Sequence, residues 1–185
     1  EFVSLKNDLP DDIRNFVIDS KDRIFFLTGH GQLLHYQLTV RNSCPELSFK
    51  EEIRHCAPVS NIYLSQDCLI INDDRTLTVS QDNRILDSIN IPENKTVSQA
   101  ICHGEYLLIS FIEGGCIRYN LENGTSTELL QLPEKASIFT IYIGSQNILW
   151  VGTDGQGILE VYEHSSPFHT VKTNYPVRCF CEEDN

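Results

Sequence analysis

Four stretches of this chain share one layout: an apolar run, a tight turn rich in Gly, Asp or Asn, and a second run of alternating character. They are Arg23–Tyr36, Asp67–Val79, Glu105–Tyr119 and Asn147–Tyr162. Each is preceded by another apolar run, at Ile13–Ile18, Val59–Leu64, Val97–Cys102 and Ile138–Ile143. The openings of those runs lie 46, 38 and 41 residues apart, and a fifth copy opens at Val177, 39 residues beyond Ile138. A further run closes three of the repeats, at Ile85–Ile91, Thr127–Leu132 and Phe168–Thr173. Runs rich in Ile, Val, Leu, Phe and Tyr, bounded by Asn, Asp and Gly, predict β-strands. No stretch of helix length combines a 3.6-residue period with capping signals, so no helix is expected.

Four short strands per repeat of about 40 residues is the signature of a β-propeller blade. The expected fold is therefore all-β, a partial propeller of about four blades. The blades would span roughly 13–58, 59–96, 97–137 and 138–176, with 1–12 and 177–185 belonging to neighbouring blades. A four-stranded sheet with two apolar faces cannot hide both alone, and stacking against neighbours hides them. Phe2–Leu5 reads as the outer strand of a preceding blade and Val177–Cys181 as the first strand of a following one. Sheet edges left open at the ends would favour a homodimer.

Composition narrows the function. The chain has 185 residues, 14 Lys and Arg against 26 Asp and Glu, and a net charge of −12. An acidic surface repels phosphate backbones and anionic lipid, which sets direct nucleic-acid and membrane-surface binding aside. No apolar run approaches the roughly 20 residues that span a bilayer. The chain opens Glu1-Phe2-Val3 and contains no Met, as expected of an internal segment of a longer protein. Its seven cysteines show no CxxC spacing and no neighbouring His cluster, so neither a zinc site nor any other metal or cofactor is expected. Cys68, Cys102 and Cys116 sit in or beside apolar runs and read as small buried hydrophobes, and Cys179 and Cys181 would share one face of a strand.

The fourth repeat is the most specific. Trp150-Val-Gly-Thr-Asp-Gly-Gln-Gly157, followed by Val177-Arg-Cys-Phe-Cys-Glu-Glu-Asp184, resembles the two-component regulator propeller repeat, with its LWxGTxxGG core and VRxxxED start. Repeats one and three resemble it less closely, and repeat two departs most, with Asn72-Asp-Asp-Arg75 in place of the glycine turn. The resemblance implies the periplasmic sensor region of a hybrid two-component system of the kind typical of gut Bacteroides. The parent protein would then carry a transmembrane helix, an immunoglobulin-like linker domain, a histidine kinase, a receiver and often a DNA-binding domain. It would sense a glycan or oligosaccharide and, by phosphorelay, switch on polysaccharide-utilisation genes. Two other classes stay open: a propeller scaffold for protein–protein interaction, and a glycan-active propeller enzyme.

No residue pattern marks a catalytic centre. The histidines His30, His35, His55, His103, His164 and His169 are scattered without motif, and Asp73–Asp74 and Glu182–Glu183 read as turn or edge residues. Catalysis needs a nucleophile, a base and an orienting group together, so no catalytic residue is expected. Ligands of a propeller would meet the turns between second and third strands, which makes Arg75, Glu113 and Asp154 the candidate sugar-binding residues. Trp150, Gly152, Thr153, Gly155 and Gly157 read as architecture. Trp150 would pack between blades, the glycines would allow positive φ and close backbone approach, and Thr153 would satisfy turn backbone groups.

Overall fold

The computed structural model describes residues 9–41, 44–57, 60–132, 136–144, 146–162, 170–171, 173 and 176–179. The described residues form sixteen strands and no α-helix, arranged as four antiparallel sheets of four strands each. Sheet 1 holds β1 (Ile13–Ile18), β2 (Arg23–Thr28), β3 (Gln32–Arg41) and β4 (Cys44–His55). Sheet 2 holds β5 (Asn61–Ser65), β6 (Cys68–Asp73), β7 (Thr76–Gln81) and β8 (Arg84–Asn90). Sheet 3 holds β9 (Val97–His103), β10 (Tyr106–Phe111), β11 (Gly115–Asn120) and β12 (Ser126–Gln131). Sheet 4 holds β13 (Ile138–Ile143), β14 (Leu149–Thr153), β15 (Ile158–Val161) and β16 (Thr170–Val171). Within each sheet the spatial order is the chain order, the up-and-down arrangement of a propeller blade.

The turns are built by residues that tolerate the left-handed backbone region. Gln66 and Asp67 both have positive φ, as do Asp82 and Asn83, which is the two-residue hairpin connection whose twist matches that of its strands. Repeat two, which lacks the glycine turn, places Asp74 at φ 54° instead, and Asp is among the few L-residues enriched there.

The chain divides into two compact units, Glu1–Asn90 and Ile91–Asn185. In the first, Phe25, Leu27, Leu33 and Cys56 of the sheet 1 repeat form one apolar cluster with Ile62, Leu69 and Ile71 of sheet 2. The innermost strands are tied by Asn15, whose amide donates to Asn61 Oδ1 at 2.6 Å and to the Ile62 carbonyl at 3.0 Å. Toward the other end of the strands, Ser20 donates its backbone N–H (2.9 Å) and hydroxyl (2.5 Å) to the Asp67 carboxylate. In the second unit, Leu108, Cys116, Leu130 and Leu132 pack with Ile138, Ile141, Leu149, Val151, Leu159 and Val161. Gln99 Oε1 there accepts from Thr140 Oγ1 and from the Ile141 N–H, both at 2.8 Å. Each unit thus joins neighbouring first strands through one side-chain amide.

The fourth strand of the first repeat, expected within 13–58 but given no position by the apolar runs, is β4, which runs for 12 residues. As an outer strand it buries only Leu47, so its apolar pattern is too sparse to read. Val177–Cys179 are the described part of the run expected to open a following blade, and they are extended without a paired strand among the described residues. They form a segment returning to sheet 4, where the Val177 N–H meets the Thr153 carbonyl at 3.4 Å and Arg178 lies over the Phe139 ring at 4.9 Å. Phe2–Leu5, Phe180, Cys181 and Glu182–Asn185 lie outside the described residues, as does Phe168 of the run proposed to close repeat four. Cys56, Cys68, Cys102 and Cys116 are buried, while Cys44 and Cys179 are exposed. Burial alone pushes the Cys116 thiol up to about 12.

Candidate functional site

In sheets 1, 3 and 4, at the end that carries the turn between second and third strands, a recurrent backbone bond ties that turn to the residue before the first strand. The turn N–H of Gly29, Ile112 and Asp154 donates to the carbonyl of Asp12, Thr96 and Ser137 at 2.8, 2.9 and 2.9 Å. Two glycines permit the approach of the closing strand's exit. Gly31 and Gly114 have φ of 88° and 86°, and a Cβ on them would fall 2.2 Å from the Cys56 carbonyl oxygen and 2.4 Å from that of Ala136. Only glycine accepts that combination.

Three carboxylates at this end hold backbone. Asp73 Oδ1 accepts from the Ala57 N–H at 2.7 Å and from Ser60 Oγ at 2.8 Å, while Oδ2 pairs with the Arg54 guanidinium. Burial works against its ionisation, but the Ala57 N–H, the Ser60 hydroxyl and Arg54 outweigh it and hold the carboxyl below the usual range. Glu113 Oε2 accepts from the Thr96 N–H at 2.8 Å. Its pKa is also lowered, against the burial penalty, by bonds from Thr96 and its own N–H and by the Lys95 charge. Asp12 Oδ2 accepts from the His30 N–H at 3.2 Å.

Of the three candidate sugar-binding residues, Arg75 lies in the first unit, exposed on the turn after β6. Glu113 and Asp154 lie in the second, both exposed, with Glu113 engaged on Thr96 as described.

The motif around Trp150 resolves into separate tasks. Thr153 is fully buried; its hydroxyl donates to the Gly157 carbonyl at 2.7 Å and accepts from the Gln156 N–H at 3.1 Å. Gly155 and Gly157 have φ of 81° and 78°. Gly152 does not serve positive φ. It sits inside β14, where a Cβ would meet Thr140 Cγ2 at 2.6 Å and Val177 Cγ1 at 2.8 Å. The glycine of the motif core and the valine of the motif start are therefore in contact. Trp150 is half-buried and pairs in register with Tyr142 and Glu160. It shares a sheet face with Gly152, opposite to the face of Leu149 and Val151 that joins the cluster with sheet 3.

The opposite end of the second unit holds a groove of about 270 Å³ between sheets 3 and 4. Its floor is aliphatic, with Leu108, Leu149 and Val161. Its polar lining includes His103, Arg118, Glu128 and Asn147. The Arg118 guanidinium rests on the Tyr106 ring, 4.8 Å from the centroid. Tyr162 at the rim donates its hydroxyl to Glu160 Oε2 at 2.7 Å, and this bond, with burial and the carboxylate's charge, raises its pKa. The Tyr106 phenol is raised chiefly by its bond to Glu105 and that residue's charge, with burial adding, against opposing pulls from Asn120 and Arg118. Sequence reasoning missed this groove. The signal available was the Tyr106–Tyr119 hairpin itself: Leu108 pairs with Arg118 and Tyr106 with Asn120, which makes Tyr106 and Arg118 diagonal neighbours on one face.

The first unit has a groove of about 300 Å³, more apolar, between β4 and sheet 2. Its arginine, Arg54, is the one paired with Asp73. Beside it, His35 is buried and stacked on Phe25 at 5.2 Å between ring centres. Glu51 Oε1 lies 3.5 Å from its Nδ1, beyond an ordinary hydrogen bond. Among the described residues no group of three or more His, Cys, Asp or Glu is placed to hold a metal ion.

Comparison with known proteins adds the following. Residues 131–155 match the two-component regulator propeller family. No curated protein sequence matches the chain. Among solved structures, the extracellular domain of a hybrid two-component system of Bacteroides thetaiotaomicron superposes with a TM-score of 0.64 at 18 % identity, over 93 % of this chain and 23 % of that one. Catalytically inactive virginiamycin B lyase from Staphylococcus aureus, with quinupristin, gives 0.63 at 13 % identity, over 88 % and 57 %. Chaetomium thermophilum Raptor gives 0.68 at 10 % identity, over 90 % and 17 %. The chain thus spans about a quarter of the first structure's length and little more than half of the second's. At these identities the likeness is one of fold. The chain is a run of β-propeller blades, and within it residues 131–155 match the two-component regulator propeller family.

Proposed function

We propose that this chain is part of the extracytoplasmic sensor of a hybrid two-component histidine kinase. It binds a glycan or oligosaccharide and relays that signal to a cytoplasmic kinase and a transcriptional output. The observation that carries the reading is the family match at 131–155. The fold likeness to the extracellular domain of a hybrid two-component system supports it, and so does the geometry of the motif. Thr153, Gly155 and Gly157 build a turn and Gly152 makes room for Val177, an architectural role that agrees with this reading. Signal transfer through a dimer of such sensors belongs to the same reading.

The likeness to virginiamycin B lyase places an enzyme on a related fold, so the test must separate binding from turnover. A thermal-shift screen of the chain against plant and host oligosaccharides does both when each mixture is also analysed for products. A ligand that binds only the folded state raises Tm by mass action. A dose-dependent rise with one oligosaccharide that is recovered intact is the expected result. Cleavage of that sugar would replace the sensor by an enzyme, and binding of peptides in place of sugars would make the chain an interaction scaffold.

A further inference from the structure

We infer that Asn123, in the turn between β11 and β12, is a site of spontaneous modification: the Gly124 backbone nitrogen attacks its side-chain amide, and the residue becomes aspartate or isoaspartate. The inference is independent of the glycan-sensing reading above. An asparagine cyclises in this way when the next residue leaves its backbone nitrogen uncovered, and glycine, which has no Cβ, does so best. Of the chain's ten glycines, Gly124 alone follows an asparagine. Asn123, Gly124 and Thr125 are all exposed, so water and base reach the amide.

The turn prepares the electrophile. Asn123 Oδ1 accepts from the Thr125 N–H at 3.0 Å and from the Thr125 hydroxyl at 2.6 Å. Both donors face the oxygen on which negative charge develops as the amide carbon becomes tetrahedral, the arrangement of an oxyanion hole. Gly124 N forms a bond to Asn123 Cγ and gives its proton to solvent base. The Cγ–Nδ2 bond then breaks, ammonia leaves with a proton from water, and a succinimide ring remains. Water opens that ring at one carbonyl to give aspartate, or at the other to give isoaspartate. One bond opposes the step. The Gly124 N–H donates to the Asn120 carbonyl at 2.9 Å and must let go first, which an exposed turn does by local fluctuation. Asp154–Gly155 is equally exposed, but a carboxyl group has no ammonia to expel. Isoaspartate puts an extra methylene into the main chain between Asn120 and Thr125. The Asn120 N–H donates to the Thr125 carbonyl at 2.8 Å, so the modification loosens the outer hairpin of sheet 3 at its turn.

The test is incubation of the whole chain in mildly alkaline buffer, followed by peptide mapping with a fragmentation method that separates isoaspartate from aspartate. Asn123 should convert before any other asparagine and give both products. Thr125→Val should slow the conversion about 2- to 10-fold, the rate equivalent of one hydrogen bond. Thr125→Ser keeps the hydroxyl and should keep the wild-type rate. Three results would each overturn the inference: an intact Asn123 in the folded chain while the free peptide spanning 119–129 converts, earlier conversion of another asparagine, or a Thr125→Val chain that reacts as fast as wild type.

Discussion

Asp73 gives the sharpest test of how the blades are fastened. Its carboxylate serves the Ala57 N–H at 2.7 Å, the Ser60 hydroxyl at 2.8 Å and the Arg54 guanidinium. The side chain is 16 % exposed and Ser60 is 1 % exposed, so water does not readily replace the lost acceptor. Hydrogen bonds to a charged group contribute about 1.5–3 kcal/mol each. They are not additive, and Arg54 is 36 % exposed and rehydrates. Asp73→Ala should therefore cost about 2–4 kcal/mol. Asp73→Asn keeps one acceptor oxygen and loses the charge, and should cost about 1–2 kcal/mol. Urea unfolding followed by circular dichroism, with unchanged m-value, measures both. The pH dependence follows from the lowered pKa. The ionised group contributes stability that is fully present above the unfolded Asp value of about 3.9 and is lost as pH falls through the lower folded value. The gap between wild type and Asp73→Asn should thus hold near neutrality and close in acid. A gap as wide at pH 3 as at pH 7 would refute the electrostatic part of the argument. A loss below about 0.5 kcal/mol for Asp73→Ala, the range of ordinary surface substitutions, would refute the whole.

Gly114→Ala should cost at least about 3 kcal/mol, because it adds a clash with the Ala136 carbonyl at 2.4 Å to a φ of 86°. Gly104→Ala, with φ 58° and nothing within 4 Å of the new Cβ, should cost about 1 kcal/mol; equal losses in urea midpoint would refute the close-approach argument. Gln99→Ala removes the acceptor of Thr140 Oγ1 and the Ile141 N–H and should destabilise the second unit by about 1–3 kcal/mol, read by hydrogen exchange at Ile141. Gly152→Ala should be partly rescued by Val177→Ala, since the two side chains would compete for one space. A double-mutant cycle with no coupling would show that Val177 does not sit where described.

The strands and their grouping were legible because an apolar run, a polar turn and a second run recur at nearly fixed spacing, and backbone hydrogen bonding enforces that spacing. β4 escaped because an outer strand with one buried residue leaves no pattern, and Lys50-Glu51-Glu52 in its middle reads as loop. The turn acids were visible, but what they bind was not. Glu113 meets a backbone N–H 17 residues earlier, and a backbone N–H leaves no mark on the sequence. The groove draws His103, Arg118, Glu128, Asn147 and Tyr162 from two sheets, so no local motif collects them. Of the two roles expected of the motif glycines, positive φ and close approach, Gly152 shows only the close approach. Its partner is the Val177 side chain, 25 residues away, and turn chemistry does not predict that.

The distribution of thiols gives this protein a built-in clock. Cys44 and Cys179 are exposed, so an alkylating reagent modifies them at once. Cys56 and Cys68 report the first unit, and Cys102 and Cys116 the second. Cys116, with no exposed surface and a thiol pushed up to about 12, reacts only after its surroundings have opened. Mass spectrometry of the labelled chain, read cysteine by cysteine, would time the opening of each unit without any engineered probe. A ligand that closes the groove beside β11 would slow the Cys116 clock while the exposed pair kept its pace.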